Sequence, residues 1–111
     1  MRLVVSTCPI AEAPRLARAL LEERLVACVN VVPAVQSVYW WEGKITEDVE
    51  ALLLMKTRAE RVEALLARLK ALHPYQVAEI LTFAVAEGNA AYLDWVARET
   101  GGVAGSGGPD R

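Results

Sequence analysis

Few side chains in this 111-residue sequence can carry chemistry. There is one histidine, His73, and two cysteines, Cys8 and Cys28. Imidazole and thiolate together form a donor set suited to copper or zinc. Cys8 stands at a strand end beside Pro9 and is expected to be reachable. Cys28 lies inside an apolar run and is expected to be an inert core thiol. No pair of these ligands has the spacing of a structural zinc site, and His73 has no second ligand at i+4. Carboxylates such as Glu79, or the thioether of Met55, would have to complete any metal site. The structural reading of His73 is a helix C-terminal residue satisfying the last carbonyls. Glu42, Glu47, Asp48 and Glu50 form an acidic cluster that reads as a solvated strand edge discouraging pairing, or as a weak cation site. Val38–Trp41 (VYWW) is aromatic and suits packing or a subunit contact. Stacking on nucleic-acid bases would need a basic surround that this segment lacks. The sequence contains no Gly-rich phosphate loop and no GxSxG, and one histidine without a spaced partner defines no Cys–His–Asp arrangement.

Charge and composition narrow the partners. Twelve basic and fourteen acidic residues give a net charge of −2, and the pI is near 5.4. The two signs are interspersed, so the basic face that neutralises phosphates is missing and nucleic acid is not expected as a partner. No apolar run approaches the roughly 20 residues of a membrane span. Leu3–Val5 is too short for a signal-peptide core. Two thiols cannot make a disulfide framework, so the cysteines are expected to be reduced and the protein cytoplasmic.

The elements that must position these groups follow from periodicity. Arg2–Thr7 reads as a strand rich in β-branched residues. Thr7 is a candidate N-cap. Ala13, Leu16, Ala17, Leu20 and Leu21 then fall at helical spacing, which predicts a helix from about Ala11 to Arg24. Leu25–Val32 reads as a second strand, punctuated by Pro33 and resuming over Val35–Trp41. Glu42-Gly43 has the form of a two-residue hairpin turn. Lys44–Thr57 reads as one long strand, and Thr57 repeats the strand–hydroxyl–helix pattern of Thr7. Val62, Leu65, Leu66, Leu69 and Leu72 make a helical stripe that ends at His73, because Pro74 restricts the residue before it. Ala78–Val85 is a last strand, and Ala90–Arg98 a short final helix.

The fold class is therefore α+β: a ferredoxin-like βαββαβ sandwich with an antiparallel sheet plus a short C-terminal helix. Residues 1–100 are read as a single domain and 101–111 as a flexible Gly-rich tail. Two helices cover only one sheet face. The other face should alternate apolar and polar if it met water. LVACVNVV, ALLLM and AEILTFAV do not alternate. With 54% hydrophobic residues, the economical cover is another copy of the chain.

Specific strings carry a resemblance. EERLVACVNVVPAVQSVYWWEGKI, ALLLMKT, KALHPYQVAEI and AYLDW resemble, in order and spacing, the CutA divalent-cation-tolerance family. The resemblance covers most of the chain, up to about Trp95. It implies a ferredoxin-like homotrimer with inward-packed sheets, similar in architecture to PII signal proteins. It also implies a role in metal tolerance, with copper or another divalent cation as a bound ion not needed for folding. No reaction follows from it, so the chain is not expected to be an enzyme. The copper site proposed in that family uses a first-strand cysteine and two adjacent histidines before Pro-Tyr. Here the strand position falls on Ser6, with Cys8 two residues on, and the first histidine position is Leu72. His73 remains, so the candidate metal residues are His73 and Cys8. Ala78 stands where the family usually has proline.

The resemblance also implies an intersubunit cleft of Tyr39, Trp41, Lys44, Lys56, His73, Tyr75 and Glu79. Such a cleft would take a small anion or metabolite, or form a polar network holding the trimer. A PII-like small-ligand sensor or adaptor is the alternative function. The tight hairpin at Glu42-Gly43 argues against it, because that mode uses a long loop. An enzyme with an intersubunit site at His73 and Glu79 is the third.

Overall fold

The computed structural model describes residues 1–101. Most of the tail expected over 101–111 lies outside the described residues. Four strands, β1 (Arg2–Cys8), β2 (Cys28–Trp41), β3 (Lys44–Thr57) and β4 (Ile80–Ala84), form one antiparallel sheet in the order β2-β3-β1-β4. Among the described residues there are three α-helices, α1 (Ala13–Glu22), α2 (Val62–Leu72) and α3 (Ala90–Glu99). This is the ferredoxin-like arrangement of two βαβ halves joined by a hairpin.

The strand parity of β3 defines the two faces. Ala51, Leu53, Met55 and Thr57 are fully buried, whereas Leu52, Leu54 and Lys56 between them are only partly buried. The odd positions face the helices, because their neighbours across the ladder are Val4 (opposite Met55), Ser6 (opposite Leu53) and Cys8 (opposite Ala51). Leu16 and Leu20 of α1 and Leu65 and Leu69 of α2 close this core. Their i, i+4 spacing places each pair on one helix face.

Both helices enter differently from the expected hydroxyl caps. Each is preceded by a 3₁₀ turn, Ile10–Glu12 and Ala59–Arg61. Thr57 caps nothing: its buried hydroxyl donates to the Leu25 carbonyl at 2.7 Å. The helix expected to reach Arg24 stops at Glu22. Arg24 takes a left-handed φ of 59°, and the amides of Arg24 and Leu25 bond back to the carbonyls of Leu21 and Leu20. This is a Schellman closure with arginine in the glycine position. It turns Leu25 and Val26 into the core before β2 begins at Cys28. β2 runs unbroken to Trp41, with the expected punctuation at Pro33 surviving as a register shift between Val32 and Val35.

α3 is tied back to the helix layer. Asn89 caps it by accepting from the Ala91 amide at 3.1 Å. At its other end the Thr100 carbonyl accepts from Arg61 Nε at 2.6 Å and from Arg58 Nε at 3.3 Å. Glu99 pairs with Arg24 at 2.6 Å.

The β2–β3 turn has positive φ at both central residues, 50° at Glu42 and 77° at Gly43. This is the backbone of a primed hairpin turn, whose twist matches that of its strands. Glycine adopts it freely, but glutamate at Glu42 is strained. Glu42→Asn is therefore expected to raise unfolding free energy by about 0.5–1 kcal/mol. Urea unfolding would check this, with an unchanged denaturant slope showing that the gain lies in stability.

Candidate functional site

Pro74 ends α2 and forces the chain into an extended turn at His73, whose amide still bonds to the Leu69 carbonyl. The imidazole is thereby pushed under the end of β1. Its Nε2 lies 2.7 Å from the Thr7 carbonyl oxygen, and Nδ1 accepts the Tyr75 amide at 3.0 Å. A carbonyl can only accept, so Nε2 carries the proton and Nδ1 does not. Both ring nitrogens are spent on backbone, and the residue is 7% exposed. A metal at His73 would have to displace one of these bonds.

The candidate ligands around it are placed by strand parity. Ser6 is fully buried and donates to the Glu79 carbonyl at 2.7 Å, pinning the entry to β4 against β1. Cys8, expected to be reachable, is instead fully buried in the core beneath the helices. Burial pushes its thiol pKa up, and the Glu50 and Glu12 charges add to the rise. A raised thiol is a poor thiolate ligand. Cys28, expected to be the inert core thiol, is partly exposed on the other sheet face, with its sulfur 3.9 Å from Lys56 Nζ. Leu72 packs against the core, and its carbonyl accepts from Arg15 of α1 at 3.1 Å. Among the described residues no group of three or more His, Cys, Asp or Glu side chains is poised around one ion position.

The loop after His73 and the far half of the hairpin together enclose a cleft of about 790 Å³. Tyr39, Trp41, Tyr75 and Glu79 of the expected cleft line it. His73 sits beside the lining residue Pro74 but not in the lining. Lys44 pairs with Trp41 and Lys56 with Cys28, so the two lysines stand roughly 40 Å apart along β3 and neither lines the cleft. Lys56 is hydrogen-bonded to Asn30 instead.

Glu50, too, stands where the sequence does not lead one to expect it. It belongs to the acidic cluster expected to be solvated, yet it is 5% exposed. Its two carboxylate oxygens accept from Ser37 Oγ at 3.0 Å and Tyr75 Oη at 3.3 Å. The signal lay in hairpin parity: from the Trp41–Lys44 pair, Asp48 and Glu50 share a face with Tyr39 and Trp41. Asp48 accepts the Tyr39 hydroxyl. That bond, followed by partial burial and the Asp48 and Glu50 charges, raises the Tyr39 pKa.

The site's relatives agree with its fold. The profile described as "CutA1 divalent ion tolerance protein" matches residues 2–99. The chain belongs to the CutA1 divalent ion tolerance family. It is 51% identical over 100 residues to the "Divalent-cation tolerance protein CutA" of Thermus thermophilus, covering 89% of this chain and 97% of that one. It is 46% identical to "Protein CutA" of Mus musculus over 91% of this chain, but spans only 58% of that longer protein. Among solved structures, the divalent cation tolerance protein of T. thermophilus superposes with a TM-score of 0.86 at 49% identity, covering 90% of this chain and 99% of that one. The "PII-like protein CutA from Nostoc sp. PCC 7120 in apo form" gives 0.86 at 35% identity, covering 90% and 97%.

Burial, then the Glu50 charge and its hydrogen bond, push the Tyr75 phenol up to about 12. A phenol with a raised folded-state pKa favours the native state below the ordinary value near 10, and that contribution fades as pH rises from about 10 through about 12. Ultraviolet difference titration should therefore show a tyrosinate step near pH 12 that Tyr75→Phe removes. A Tyr75 that ionises with the free phenols near pH 10 would show that its hydroxyl is neither desolvated nor faced by Glu50.

Proposed function

We propose that the protein acts as a cytoplasmic homotrimer in divalent-cation tolerance, without catalysis, and that it binds copper or another divalent cation only weakly. Membership in the family supports the cation role. The observation that carries the assembly is the sheet face left open by the helices. Leu81 and Phe83 on β4 are each 50% exposed. Leu3, Val5, Leu52 and Leu54 lie beside them on the same face and are only partly buried. A continuous apolar face of this kind is what a self-associating surface looks like. None of the described helices is long and apolar enough to cross a membrane, which leaves further copies as the simplest cover.

Weak binding fits the donor set. Cys8 is buried, Ser6 replaces the expected thiol, and His73 offers a ring nitrogen only if Tyr75 releases it. The third reading, an acid–base pair of His73 and Glu79, has little support. The imidazole is held between two backbone groups and is outside the cleft lining, whereas Glu79 is in it. The PII-like sensor reading gains support from the cleft and loses it at the hairpin, whose two-residue turn provides no long contacting loop.

Sedimentation velocity at micromolar concentration tests the assembly: the expected mass is three times the 12.1 kDa of one chain, and Phe83→Glu is expected to dissociate it. A monomer in the parent protein would overturn the reading. For the metal, calorimetric titration with Cu(II) is expected to show weak binding that His73→Ala abolishes. Unchanged affinity in that variant would remove His73 from the site.

A further inference from the structure

The C-terminal end of α3 gathers more positive charge than capping a helix requires. The last carbonyls of a helix need donors, and a basic side chain often supplies one. Here three guanidinium groups do so. Arg24 Nη1 donates to the Glu99 carbonyl at 3.4 Å. The Nε atoms of Arg61 and Arg58 both donate to the Thr100 carbonyl, at 2.6 and 3.3 Å. Because they share one oxygen, those two nitrogens lie within about 5.9 Å of each other. Like charges held that close repel.

Carboxylates do not make up the deficit. Glu99 pairs with Arg24 at 2.6 Å, and Glu60 reaches Arg58 only at 3.4 Å from an exposed position, where an ion pair contributes little. Arg61 has no carboxylate partner among the described residues. The last turn of α3 also carries Arg98, whose Nε is buried without a hydrogen-bond partner among the described residues. Residues 102–111 contain one aspartate, Asp110, and one arginine, Arg111, so they do not change the balance. Arg24 takes its left-handed φ of 59° where glycine is the usual residue. The strained position thus delivers the third guanidinium to this cluster.

The three arginines come from one chain and stand away from the face assigned to assembly. Arg58 and Arg61 lead from β3 into α2, and Arg24 follows α1. Both helices cover the sheet face opposite the open one. Arg24 is exposed, and Arg58 and Arg61 are partly exposed. In Arg61 the Nε–H is committed to the backbone, which fixes the plane of the guanidinium. Its two Nη groups make no hydrogen bond among the described residues. A planar fork of this kind matches the oxygens of a phosphoryl group, which offers three acceptors and close to two negative charges. A carboxylate brings one charge and two oxygens. Three cations are too few to follow a nucleic-acid backbone. We propose that Arg24, Arg58 and Arg61 form a binding site for the phosphoryl group of a small phosphorylated molecule.

The test is a titration of the full chain with inorganic phosphate and with pyrophosphate, at constant ionic strength and without divalent cations, followed by the arginine Nε–H signals in NMR. Sodium acetate is the carboxylate control. Saturable shifts of the Arg58 and Arg61 signals are expected with at least one of the phosphates, and none that saturate with acetate. Loss of one charged contact should weaken binding about tenfold or more in Arg61→Gln and in Arg58→Gln. Arg18→Gln, at an exposed position on α1 outside the cluster, should leave affinity unchanged. Circular dichroism of each variant separates loss of the site from loss of the fold. Failure of both phosphates to saturate, equal binding of acetate, unchanged affinity in either Arg58→Gln or Arg61→Gln, or an equal loss in Arg18→Gln would overturn the proposal.

Discussion

The register of β3 is the constraint on which every other placement depends. This strand pairs with β2 on one side and β1 on the other, and its 14 residues carry both the core and the cleft. A shift of one residue would bring Leu52, Leu54 and Lys56 under the helices and turn Leu53 and Met55 outward. Two devices prevent it. The turn at Glu42-Gly43 sets the Trp41–Lys44 pair at one end. At the other, the buried Thr57 hydroxyl is bonded to the Leu25 carbonyl and the Ala27 amide to the Lys56 carbonyl. The irregularity between Val32 and Val35 absorbs the mismatch between them.

With β3 held, the half of the ribbon nearest the turn extends past the helices, and its side chains need other neighbours. The segment after α2 supplies them on one face. Pro74 stops the helix, His73 docks its ring on the Thr7 carbonyl, and Tyr75 is delivered to Glu50. The imidazole acts here as a bridge between two stretches of backbone. That role needs a neutral ring with one proton in a defined place, which is a different demand from ligating a metal. The lone histidine of the sequence thus has a structural task that accounts for its position without invoking an ion.

Much of this was legible in the residues. The element order, the hairpin turn, the helix stop at Pro74 and the uncovered apolar face all follow from local patterns whose physics is local. The two cysteines exchange their expected environments for a definite reason. A strand that is apolar on both faces has no alternation, so its sequence does not reveal which residues point to the helices. Cys8 shares parity with Val4 and Ser6, and Cys28 with Asn30 and Lys56. Only the ladder shows it. Lys44 and Lys56 lie at opposite ends of one long strand, so within a single chain they do not share a site; the cleft expected of them is one between subunits. Thr7 and Thr57 have the chemistry of helix caps, but the 3₁₀ turns between them and the helices move their hydroxyls out of reach.

Glu50 joins these strands of argument, because it sits where the apolar face ends and the cleft begins. A carboxylate there, flanked along the chain by Val49 and Ala51, would be costly to bury without donors. Ser37 across the ladder and Tyr75 from the loop supply them. Each donor is neutral, so the negative charge is stabilised by hydrogen bonds but not cancelled. An ion pair with lysine or arginine would have made burial easier and would also have removed the field that reaches the cleft. The hydroxyl partners hold Glu50 rigid and leave its charge effective. Tyr75 thereby becomes the element that couples the docking of His73 to the electrostatics of the cleft, since loss of the His73 contact would free the loop that carries its hydroxyl to Glu50.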